Sequence, residues 1–154
     1  AHTEAEYIIR GATVADFEIM RERVMRCFQA GALATGTTLD VAPRHEPYAE
    51  MHHDRVIAAA YRRNAEALGR TFPPFDPRAA GSTDMGNVSL AIPSIHPAIG
   101  IDSLPAVNHQ PEFTAACATP AADRAIGDGA LAMAWSAIDC ATDDAVRTRL
   151  LTRS

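Results

Sequence analysis

The chain has 154 residues and a net charge of −5, with 14 arginines, no lysine and 19 Asp+Glu. The arginines are scattered rather than gathered into a basic stripe, which argues against a nucleic-acid partner. At 47% hydrophobic and 21% charged residues, the composition suits a soluble globular domain with a real core; no apolar run approaches the roughly 20 residues that cross a bilayer.

The predicted elements begin with a strand over EAEYIIRG, where Ala5, Tyr7 and Ile9 share one face. Thr13 and Asp16 resemble a capping box. Val14, Phe17, Met20, Val24, Cys27 and Phe28 then recur at helical spacing, and Gly31 and Gly36 supply stop signals. TTLDVAP reads as a second strand, ended by Pro43. Strand, helix and strand make a βαβ unit too small to close a core, which needs another sheet or chain beside it.

Asp54 predicts the N-cap of a second helix, with Val56, Ile57, Ala60, Tyr61 and Leu68 inward and Gly69 at its end. TFPPFDPRAAGST, residues 71–83, reads as a loop. Val88, Leu90 and Ile92 alternate as a strand, and residues 95–101 suggest another. Thr119 with Pro120 marks the start of an alanine-rich helix, and a short last helix is expected from Thr142. The class is α/β, with a seam near residues 46–54.

Cys27, Cys117 and Cys140 are odd in number and far apart, which favours reduced thiols in a cytoplasmic protein. The N-terminus AHTEAEYIIRG lacks the basic start and apolar stretch of a signal peptide. HEPYAEMHHD holds His45, Glu46, Glu50, His52, His53 and Asp54, yet shows no zinc-site spacing and reads as a connector with polar caps. His109 stands in an uncharged turn before a helix, and His96 is held between Ile95 and Pro97. The fork of Arg10 suits a carboxylate, although an arginine ending a strand also snorkels to solvent. GSTDMGN offers backbone amides and hydroxyls to an anion, without the GK[ST] ending of a Walker loop. A plain polar turn is the competing reading.

GSTDMGNVS, IPSIHP and NHQPEFTAACATPAADRAIGDGALAMAWSAID, in that order, resemble the C-terminal part of the zinc-dependent amidohydrolase and peptidase family. That family includes aminoacylases, carboxypeptidase G and p-aminobenzoyl-glutamate hydrolase, and the likeness is strongest to its aminoacylase-like dipeptidase branch. EAEYIIRGATVADFEIMRERVMRCFQAGALATG is similar to the second half of the family's ferredoxin-like lid, or dimerisation, domain. The resemblance implies that residues 1–48 are that half-lid and 49–154 the C-terminal portion of an α/β catalytic domain.

It also implies roles. His109 matches a metal ligand, Arg10 the lid-strand arginine that grips the substrate carboxylate, and Gly81, Ser82 and Thr83 the floor of the substrate site; His96 falls in a supporting IHP motif. The implied cofactor is zinc, two ions in the parent, with manganese or cobalt as substitutes. The implied substrate is an N-acyl amino acid, a p-aminobenzoyl-glutamate-like conjugate or a dipeptide, and the implied assembly a homodimer through the lid. The family's other metal ligands and its glutamate base have no counterpart here. The chain is therefore expected to be a C-terminal fragment, inactive alone and unable to retain the metal. The alternatives are a non-catalytic binding or dimerisation module and, from GSTDMGN, a phosphate site.

Overall fold

A computed structural model of the chain describes residues 2–74 and 81–152. The predicted loop over 71–83 therefore lies partly outside the described residues. The described residues divide into two compact units, one drawn from Ala1–Met51 and Gly81–Leu90, the other from His52–Ala80 and Ala91–Ser154.

The first unit is organised around helix α1, Val14–Thr35. Thr13 caps it as expected: its Oγ1 accepts from the Asp16 amide at 3.1 Å and donates to the Asp16 carboxylate at 2.9 Å. A carboxylate of Glu50 accepts from the Val14 amide at 3.0 Å, so a second of the helix's orphan donors is satisfied. The helix stops at Gly36, whose φ of 63° and ψ of 30° lie in the left-handed region open to glycine. Val14, Phe17, Val24 and Phe28 are half-buried, while the expected inward residues Met20 and Cys27 are exposed. Tyr7 packs against Phe28 with ring centroids 4.9 Å apart and the rings tilted by 56°. Residues 4–11 and 37–43 carry no strand ladder among the described residues, and Tyr7, Ile8 and Val41 remain exposed.

Two strand predictions are corrected outright. The stretch containing Val88 and Leu90 belongs to a short helix, α3 (Met85–Ala91), and not to a strand. Local turn chemistry decides it: the Gly86 amide donates to the Thr83 carbonyl and the Asn87 amide to that of Asp84, starting a helical turn. Three alternating apolar residues with no partner strand cannot outweigh that start. Val88, Leu90 and Ile92 are all exposed, so their alternation marks no buried face. Residues 95–101 likewise form no strand; an isolated parallel bridge pairs His53 with Ser94.

The second unit is built on α2 (Arg55–Ala67) packed along α5 (Pro120–Thr142). Both begin where the sequence places them: Asp54 accepts from the Val56 and Ile57 amides at 3.0 Å each, and Thr119 caps α5 ahead of Pro120. Of the five residues expected inward on this helix and its C-cap, Val56 is exposed. The face of α5 toward the core is a row of small residues, Ala122, Ala125, Gly129, Ala132 and Ser136, spaced three and four apart. Small side chains let two helix backbones approach closely, and Tyr61, Ala65 and Ala132 form the centre, flanked by Leu68, Phe72 and Ile95. Asn64 of α2 donates to the Ser136 hydroxyl at 3.2 Å and to Asp139 at 3.0 Å, which sets the register of the pair. Arg70 pairs with Asp128 at 2.6 Å and donates to the Gly100 carbonyl, tying the segment after Ser94 to the helices.

Asp143 ends α5 and caps α6, Asp144–Leu151. From α6 the guanidinium of Arg149 grips Asp54 at 2.7 and 3.0 Å, and this contact above all holds the Asp54 carboxyl below its ordinary range. Among the described residues no helix is long and apolar enough to cross a membrane.

Candidate functional site

Two of the predicted substrate-binding residues meet. Arg10 and Ser82 are 72 positions apart, and the Arg10 Nη1 donates to the Ser82 Oγ at 3.3 Å. Both are exposed, and Arg10 makes no ion pair with a carboxylate among the described residues. A guanidinium carries five N–H donors in a planar fork. With one of them on a serine hydroxyl, the rest are open to a bidentate acceptor such as a carboxylate.

The loop below is held by its own side chains. Thr83 Oγ1 accepts from the Met85 amide at 3.3 Å and lies 3.3 Å from the Asp84 carboxylate. The second half of GSTDMGN turns away from any anion-binding role, because it is packed against residues 47–49. A Cβ on Gly86 would stand 2.0 Å from the Ala49 carbonyl oxygen. Asn87 accepts from the Ala49 amide at 2.8 Å and donates to the Pro47 carbonyl at 3.3 Å, as a strand neighbour would. Sequence reasoning assigned Asn87 no role; its partners lie about forty positions upstream and leave no local signal. Gly81 is exposed, with open space where a side chain would begin.

His109 belongs to the second unit, in the turn before α4 (Pro111–Ala116). It is exposed and sits at φ 70°, a left-handed conformation that costs a residue with a Cβ roughly 1 kcal/mol. The turn is held by the Val107 amide on the Gln110 side chain at 3.1 Å. His96 is also exposed and unbonded among the described residues, while its neighbour Ile95 is anchored on the Tyr61–Ala65–Ala132 cluster.

Catalytic zinc takes about three protein ligands and an open position. Among the described residues no group of three or more His, Cys, Asp or Glu side chains converges, so these residues by themselves do not fit a metal ion. In HEPYAEMHHD two of the three acids serve helix ends instead: Glu50 at α1 and Asp54 at α2.

No family model matches the chain. It is 33% identical over 144 residues to the Xaa-Arg dipeptidase of Mus musculus, covering 90% of this chain and 33% of that protein. To the Xaa-Arg dipeptidase of Homo sapiens it is 31% identical over 142 residues, covering 90% and 32%. The chain thus spans about a third of the length of the curated relatives it matches.

Proposed function

We propose that the chain is the carboxylate-recognising part of a metal-dependent amidohydrolase or peptidase. The substrate is a dipeptide, an N-acyl amino acid or a p-aminobenzoyl-glutamate-like conjugate. The contact between Arg10 and Ser82 carries this reading: it leaves an unpaired guanidinium, held in place, with donors free for the carboxylate beside the scissile amide. The dipeptidases to which nine-tenths of the chain is similar support it, since a dipeptide ends in such a carboxylate.

In this reading Ser82 orients the guanidinium, and Gly81 leaves room for the ligand to approach. His109 presents one imidazole ligand, with the remainder drawn from outside the described residues. The α/β lid and catalytic-domain architecture belongs to the same proposal, with residues 4–11 and 37–43 as strands awaiting a sheet. The exposed Tyr7, Ile8, Ile19 and Leu33 favour, as a second reading, pairing of this unit with another copy of the chain. A mass that stays monomeric at every concentration, by light scattering, speaks against that pairing.

The test of recognition compares hydrolysis of an N-acyl amino acid with that of its C-terminal carboxamide by the protein carrying this chain. A strong preference for the free carboxylate is expected. Equal turnover of the two removes the assignment of Arg10.

A further inference from the structure

We infer that α6 is a strap, hinged at Asp143 and latched by Arg149 on Asp54, over a groove between α2 and the end of α5. The groove measures about 590 Å³ and is lined by Val56, Ala59 and Ala60 of α2, Cys140 of α5 and Val146 of α6, with Arg63 among its polar residues.

The attachment of α6 is sparse. None of its residues is buried; Val146 and Leu150 are half-buried, and Leu151 is 76% exposed. Among the described residues, the hydrogen bonds that join α6 to anything beyond the end of α5 are the two from Arg149 to Asp54, 95 positions away. Its other bonds are local. Asp143 caps the Ala145 and Val146 amides, and Arg147 reaches the Ala141 carbonyl and Asp144.

The chemistry of the latch makes it releasable. Breaking a buried ion pair is costly when it leaves a charge without partners. Here the Asp54 side chain, only 11% exposed, keeps the Val56 and Ile57 amides when Arg149 departs. Arg149, whose side chain is 44% exposed, passes to water. The strap keeps its own Asp143 cap and its Arg147 bonds, but eight residues without packing make only a marginal helix, so its amides open once it comes away. Neither end of the broken contact is orphaned, and the equilibrium is tuned by one solvent-reachable pair that salt can screen.

Hydrogen exchange of backbone amides tests this. Arg149→Met keeps the apolar stem and removes the charge, while Asp54→Ser keeps a side-chain cap on α2 and removes the carboxylate. Both variants are expected to speed exchange at residues 147–151 about tenfold or more, the scale of one lost charged hydrogen bond, with α2 and α5 unchanged. Ionic strength near 1 M, where the Debye length falls to about 3 Å, should do the same to the parent and nothing further to either variant. With Cys27 and Cys117 replaced by serine, alkylation of Cys140 should accelerate in parallel. Unchanged exchange in α6 overturns the latch, and faster exchange in all helices together reduces the pair to general stabilisation. Fast α6 exchange without faster Cys140 alkylation overturns the groove's closure.

Discussion

Arg10 and Ser82 touch through one 3.3 Å hydrogen bond that joins the end of the first extended segment to the small-residue loop. If that guanidinium receives the substrate's carboxylate, Arg10→Ala should weaken kcat/KM for carboxylate-bearing substrates by about 1.5 to 3 kcal/mol, the scale of a charged hydrogen bond. Ser82→Ala, which removes only the orienting hydroxyl, should cost about 1 kcal/mol. Arg10→Lys should recover part of the loss, since a point charge cannot reproduce the fork. Kinetics against one substrate series measures all three, and an unaffected Arg10→Ala enzyme contradicts the role.

Gly86→Ala should destabilise the first unit by roughly 1 to 3 kcal/mol, the range for overpacking. The clash is with backbone, the Ala49 carbonyl at 2.0 Å, so no side chain can swing aside. Denaturant unfolding followed by tyrosine emission in a background carrying Tyr61→Phe and Trp135→Phe, which leaves only the first unit's Tyr7 and Tyr48, would register it, against Gly81→Ala as a control in open space.

Acid should release α6 before the α2–α5 core opens. The Arg149 contact, joined by the amides of the α2 cap, lowers the Asp54 pKa beneath its unfolded value of 3.8. A lowered folded pKa contributes stability that is complete above the unfolded value and disappears as pH falls through the folded one. The contribution is therefore whole at neutral pH and lost only below about pH 3.8. Circular dichroism from pH 6 downward should show the parent's acid transition, and Asp54→Ser should lack the component that depends on Asp54.

His109→Gly should leave unfolding free energy unchanged or higher. Glycine adopts φ 70° without the Cβ penalty of about 1 kcal/mol, offset in part by its greater freedom when unfolded. His109→Ala keeps the penalty and should be the less stable of the two. Metal content of the protein carrying the chain should fall in both. A large loss of stability in His109→Gly would mean that the imidazole serves the fold.

What was legible in the chain was what is local. Thr13, Asp54 and the Thr119–Pro120 pair announce helix starts because the capping oxygen and its amide lie two or three positions apart. Gly36 announces a stop for the same reason. The seam of α5 was also written in the sequence, as small residues spaced three and four apart, but an alanine-rich stretch hides it among other alanines. The alternation of Val88, Leu90 and Ile92 pointed to a strand because period two implies burial of one face, and here neither face is buried. Among the candidate site residues, the types suited to the chemistry were visible one by one. Nothing local indicated that Arg10 would reach Ser82 or that Asn87 would grip residues 47–49.

By itself, then, the order of residues settled where helices begin and end, since those contacts close within one turn and need no distant partner. Tertiary structure alone decided which distant polar groups meet: Arg10 with Ser82, Asn64 with Asp139, Arg149 with Asp54. Such pairs form only after backbone packing has already met the entropy of closing loops of 72 to 95 residues. A side chain's chemistry says what it can bind, and the packed helices determine what comes within its reach.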